Sequence, residues 1–177
     1  MKFITTRFNG VYLIELDCLD DERGFFARSF CQKEFIKYDL NPNIVQCNIS
    51  YNRKKGTLRG MHLQTNPYEE TKIIRCTQGK IYDVIIDLRQ KSSTYCLWEG
   101  FELSAENRRM LYVPKGFAHG FQTLEDETEV FYQMSEFYYL ECAFGVRWND
   151  AIFEIEWPIN SPILSEKDRT YPDYCKP

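Results

Sequence analysis

The chain contains only two histidines, and each stands in a short motif suited to chemistry. His62 lies in Leu58-Arg59-Gly60-Met61-His62-Leu63-Gln64, and His119 closes Pro114-Lys115-Gly116-Phe117-Ala118-His119. Imidazole is the side chain that exchanges a proton near neutral pH. Two such rings beside glycines and strand-forming residues suit the wall of a pocket. A divalent metal needs three or four converging His, Asp, Glu or Cys ligands. No His-x-His pair exists here, so the pattern favours proton transfer without a metal or other cofactor.

The elements that must position these rings are read from hydrophobic period. Period-two stretches dominate the middle of the chain. In Lys80–Leu88, the residues Tyr82, Val84, Ile86 and Leu88 share one face, and Asp83 and Asp87 take the other. Further strands are expected at Val11–Glu15, Ile44–Tyr51, Thr57–Gln64, Lys72–Thr77, Trp98–Leu103, Arg109–Val113 and Glu129–Ser135. Gln78-Gly79 reads as a hairpin turn joining two of them. One helix is expected near Gln32–Tyr38, starting at Ser29 or Cys31. Many short strands with few helices predict a mainly β sandwich or jelly-roll barrel. The prolines concentrate in the tail, so residues 1–177 read as one domain ending in an extended, irregular segment from about residue 158.

Alternation also sorts the polar side chains. Tyr132 shares its face with Val130 and Met134, Lys72 with Ile74 and Cys76, and His62 with Leu58, Gly60 and Gln64. A base, an ammonium and a phenol are thus expected in one cavity, unless a bulge flips a strand. Taken singly, each has a plain alternative: a hydrogen-bonded core histidine, a buried phenol, a lysine ending a strand in solvent.

The composition bounds the partners. A net charge of −4 argues against nucleic acid or an anionic membrane. No apolar run approaches the roughly 18 residues of a spanning helix, and Met1–Arg7 lacks a signal-peptide core. A cytosolic protein is expected, and its seven cysteines read as free thiols. Against that acidic background, Arg53, Lys54, Lys55, Arg59, Lys72 and Arg75 form a local basic stretch. It suits an anionic small molecule such as a diphosphate, although Arg53-Lys54-Lys55 themselves read rather as a solvated hairpin tip.

Pro-x-Gly-x-x-His at 114–119 resembles the second motif of the cupins, a jelly-roll superfamily. The wider pattern is more specific. Asp21–Phe26, Gln46-Cys47-Asn48, Leu58–Gln64, Val113–Phe121 and Gly145–Asp150 follow in order. Together with Ser165-Glu166-Lys167-Asp168 they resemble the dTDP-4-dehydrorhamnose 3,5-epimerase family. The resemblance implies a cupin-type double-stranded β-helix without a metal, acting on a nucleotide-diphosphate 4-keto-6-deoxysugar at C3 and C5. It implies His62 as the base oriented by Asp168, Tyr132 as proton donor and Lys72 beside the C4 oxygen. Arg23, Gln46, Asn48, Arg59, His119, Tyr138 and Lys167 would contact substrate, with Tyr138 stacking on the base. Arg23 would reach a neighbouring subunit's site, which implies a homodimer.

Three positions depart from the family pattern. Arg28 stands where Glu is usual, Cys47 where Asp is usual, and Ala143 where an acidic residue is common. All are expected on the nucleotide side, predicting retained chemistry with a nucleotide other than thymidine, such as a CDP-linked sugar. Reaction at C3 alone, 3,4-ketoisomerisation and a non-catalytic sugar-nucleotide-binding role are the alternatives.

Overall fold

The computed structural model describes residues 1–176; Pro177, the last residue of the expected tail, lies outside them. Thirteen strands and two helices follow in order. The strands are β1 (Lys2–Thr5), β2 (Tyr12–Glu15), β3 (Leu19–Asp21), β4 (Gly24–Phe26), β5 (Gln46–Asn52), β6 (Leu58–Gln64) and β7 (Lys72–Gln78). Then come β8 (Lys80–Asp87), β9 (Trp98–Ser104), β10 (Met110–Val113), β11 (Phe117–Thr123), β12 (Thr128–Met134) and β13 (Ala143–Gly145). Helix α1 is Gln32–Lys37 and α2 is Glu166–Thr170.

Two antiparallel sheets form the molecule, one ordered β1-β2-β10-β7-β12-β5 and the other β13-β6-β11-β8-β9, with β3-β4 as a separate hairpin. This is the expected jelly roll. The predicted hairpin at Gln78-Gly79 is not one. β7 pairs with β10 and β12, whereas β8 pairs with β9 and β11, so the turn carries the chain from one sheet to the other. Tight turns and sheet-crossing corners use the same residues; only the pairing partners tell them apart.

The alternation in β8 is as expected, and it divides the core. Ile81 and Ile85 join Ile74, Leu111 and Val130 between the sheets. Val84, Ile86 and Tyr82 face outward against Phe153 and Trp157 from the C-terminal segment. Phe35 of α1 packs on Ile14, Ile73 and Met110, covering the back of the first sheet. Each fully buried aliphatic side chain contributes about 1.5–3 kcal/mol. The helix starts at Cys31 without a side-chain cap. Tertiary burial of Phe35, rather than local capping, therefore holds this six-residue helix. The C-terminal segment is not wholly irregular: it contains α2, begun by Ser165, whose Oγ accepts from the Asp168 amide. Among the described residues no helix is long and apolar enough to cross a membrane.

Candidate active site

A cavity of about 720 Å³ opens between the two sheets. From one sheet, β6 and β11 contribute Arg59, His62 and His119; from the other, β5, β7 and β12 contribute Gln46, Asn48, Lys72 and Tyr132. Tyr138, from the loop after β12, and Lys167 of α2 close the rim. Asp168 stands behind His62. Ten of the eleven residues expected at the site thus converge on it. Arg23 does not: it lies at the β3–β4 turn, its side chain 85% exposed and paired with Asp21.

The ladder explains the convergence. Tyr132 is flanked by Asn48 on β5 and Ile74 on β7, and Met134 by Gln46 and Lys72. Phenol, ammonium and amides therefore sit in adjacent rows of one sheet face. On the opposite wall, His62 is paired with His119.

His62 does not share a face with Leu58, as period two required. Leu58 and Met61 pack outward, while Arg59 and His62 both enter the cavity. The register against β11 shifts between His119 and Phe121, opposite Gly60. Gly60 has φ +139°, and a Cβ there would lie 2.5 Å from the Gly120 Cα. The two backbones cross where only glycine fits, and the extra residue reverses the alternation.

The His62 Nε2 donates to Asp168 Oδ1 at 2.6 Å, leaving Nδ1 the lone pair. Ser165 Oγ donates to the second carboxylate oxygen at 2.9 Å. Burial in the barrel wall lowers the His62 pKa from its ordinary value, with Asp168 opposing this and Lys72 and His119 assisting it. The imidazole is thereby neutral at physiological pH although 40% of its side chain borders the open cavity. Burial alone would raise the Asp168 carboxyl; the His62 hydrogen bond and charge, with Ser165, overturn that and hold it below the ordinary range. His119 bonds the fully buried Asp83 at 2.8 Å. Burial raises the Tyr132 phenol, partly offset by Arg59, so it is a neutral O–H.

Sequence reasoning missed Glu70. Its Oε1 pairs with Lys72 Nζ at 2.8 Å and its Oε2 accepts from the Gln64 amide at 2.9 Å. Lys72 also donates to the His62 carbonyl at 3.2 Å. An ammonium has three N–H donors, so one remains for the cavity. Tyr171, the other omission, lines the cavity beside His62. Neither carried a period or motif signal. The turn of helix that brings Asp168 did: a serine N-cap followed by acidic residues.

The departures at positions 28, 47 and 143 separate. Arg28 pairs with Glu34 at 3.1 Å, away from the cavity. Cys47 alternates with the inward Gln46 and Asn48 and is exposed. Only Ala143 lines the cavity. Of the basic stretch, Arg59 and Lys72 reach the site, whereas Lys54 pairs with Asp126 at the surface. Among the described residues no three His, Cys, Asp or Glu side chains are arranged to hold a metal.

Known proteins share this fold. A family model described as dTDP-4-dehydrorhamnose 3,5-epimerase matches residues 5–175. The chain is 44% identical over 169 residues to a Shigella flexneri dTDP-4-dehydrorhamnose 3,5-epimerase, covering 95% of this chain and 93% of the other. The crystal structure of the Bacillus anthracis enzyme with TDP and PPi bound superposes with a TM-score of 0.95 at 47% identity, covering 98% and 99%. A Legionella pneumophila epimerase in complex with dTDP-4-keto-L-rhamnose gives a TM-score of 0.89 at 36% identity, covering 94% and 89%. The cavity between the sheets is thus framed by the fold of those isomerases, and the chain belongs to the dTDP-4-dehydrorhamnose 3,5-epimerase family as one of its enzymes.

Proposed function

We propose that the protein epimerises dTDP-4-keto-6-deoxyglucose at C3 and C5, with His62 as base and Tyr132 as acid. One observation carries the reading: the imidazole and the phenol project into a single cavity from opposing sheets. Inverting a carbon requires a proton to leave from one face and return to the other. Both carbons flank the C4 ketone, so removal of either proton by His62 Nδ1 gives an enolate. The free Lys72 N–H would donate to the C4 oxyanion as charge develops. The neutral Tyr132 O–H returns a proton from the far side; solvent then reprotonates the phenolate and takes the proton from the His62 imidazolium, resetting both groups.

Arg59 and Lys167 supply donors for the diphosphate, and His119 contacts the sugar. Gln46, Asn48 and the exposed ring of Tyr138 form the nucleoside end, with the Tyr138 amide tied to Gln46 Oε1 at 3.2 Å. The exposed β3–β4 hairpin, with Leu19 and Phe26 bare and Arg23 at its turn, is an arm for a second copy of the chain. It supports a homodimer in which Arg23 enters the partner's cavity. Seven cysteines without a disulfide suit a reducing cytoplasm.

The test is incubation with dTDP- and CDP-linked 4-keto-6-deoxyglucose in D₂O, followed by NMR. Deuterium at C3 and C5 of the dTDP sugar, absent with His62→Ala, is expected. Label at C3 alone would replace the reading with a mono-epimerase. Preferential turnover of the CDP sugar would restore the altered-nucleotide expectation, and no exchange with either would leave a binding protein.

A further inference from the structure

Among the described residues after α2, Tyr171 alone lines the cavity. Its ring lies on the bare backbone of Gly145: a Cβ there would come within 2.5–2.7 Å of three ring carbons. Gly145 is in turn the ladder partner of His62 across β13 and β6. The Tyr171 and His62 rings are 5.8 Å apart, tilted by 60°, and Lys167 Nζ lies 5.9 Å from the Tyr171 centroid. A strap from the tail therefore brings both the carboxylate that orients His62 and the ring that covers it.

We propose that Tyr171 is a positioning residue, whose ring walls the His62–Asp168 pair from solvent and fixes the imidazole plane for proton abstraction. This rests on His62 being the base. An aromatic ring suits the task because it excludes water over a large area with few rotatable bonds. Gly145 is the complementary half, since any side chain there would push the ring away. The hydroxyl is not the working part. Burial raises the phenol, with Lys167 opposing, so it brings no charge to the pair. A donor beside the base could not invert a carbon.

The charged and titratable groups facing His62 are Asp168 on α2, Lys72 on β7 and His119 on β11. Removing the ring moves none of them in sequence, yet it admits water. Burial is the largest influence lowering the His62 proton affinity. Relief of burial therefore shifts its titration upward, toward the ordinary value.

With only two histidines, the His62 ring resonances can be followed through pH in the full chain by NMR. His119, held by Asp83, reports that the barrel is intact. Tyr171→Ala is expected to raise the His62 midpoint and to lower kcat about 10- to 100-fold with little change in KM. Tyr171→Phe should match wild type in both, and Gly145→Ala should reproduce Tyr171→Ala. The double variant should add nothing further. An unmoved His62 midpoint in Tyr171→Ala, or Tyr171→Phe behaving like Tyr171→Ala, would overturn the proposal. If the midpoint moves but the acid limb of kcat/KM does not follow it, the wall stands and His62 is not the base.

Discussion

His62 and His119 face each other across the β6–β11 ladder, and each gives Nε2 to a buried carboxylate of different origin. Asp83 comes from β8, the neighbouring strand of the same sheet. Asp168 comes from α2, outside the barrel and 106 residues beyond His62. The base is thus oriented by a separate element. Asp168→Asn is expected to lower kcat about 10²- to 10⁴-fold by disturbing tautomer and orientation. Loss of the carboxylate's raising influence on His62 should also move the acid limb of kcat/KM to lower pH, opposite in sign to Tyr171→Ala. Steady-state rates across pH give both numbers.

The two proposed proton-transfer residues separate by isotope exchange. Tyr132→Phe keeps His62 and Lys72, so deuterium should still enter the substrate while inversion falls about 10²- to 10⁴-fold. His62→Ala should abolish both. Lys72→Met, which removes the donor for the C4 oxygen, should lower kcat about 10²- to 10³-fold. NMR of the sugar after incubation in D₂O distinguishes these three outcomes.

Stability should follow the same groups. The folded pKa values of His62 and Asp168 both lie below their ordinary values. In each case the unfolded chain binds the proton more readily, so stability is complete above the unfolded value and is lost as pH falls. The first loss begins near the ordinary histidine value of 6.5, and the second below the ordinary aspartate value of 3.8. His62→Ala should erase the first step of a plot of Tm against pH and the Asp168 share of the second, leaving the part that Asp87 carries.

Glu70 is held by two donors inside the protein, and the amide of Glu70→Gln offers one acceptor where a carboxylate offers two. Glu70→Ala leaves Lys72 buried and unpaired, at a cost of about 3–5 kcal/mol. Urea unfolding should rank wild type above Glu70→Gln and Glu70→Gln above Glu70→Ala.

The strands that period two marked, from Lys72 to Asp87 and from Thr128 to Met134, stand close to where their patterns put them. Burial on both walls of a barrel leaves a strong period, and Lys72 and Tyr132 could be aimed from it. His62 could not, because the face reversal at Gly60 is made by a close approach to Gly120, 60 positions away. Glu70 was silent for a different reason: its partners Gln64 and Lys72 are only six and two residues away, at the two ends of the connection from β6 to β7, and no strand period extends into that connection. Arg23 was assigned to the site by family resemblance alone, and within its own chain it pairs with Asp21 away from the cavity.

Arg23→Ala should raise KM with kcat nearly unchanged if the hairpin arm contributes binding to a neighbouring cavity. Light scattering should give the mass of two chains, and a charge placed on the apolar hairpin by Phe26→Asp should lower it to one.

Only three consecutive strand pairs, β1–β2, β3–β4 and β8–β9, lie side by side; every other step along the chain leaves its sheet or crosses over neighbours. Such a chain must close large loops before its pairings reward it, which places folding in the millisecond-to-second range. The proposed base and acid belong to sheets that meet only when those loops have closed. Partly folded chains would hold both residues yet be unable to epimerise anything, so refolding followed by activity should lag refolding followed by local β8–β9 signals.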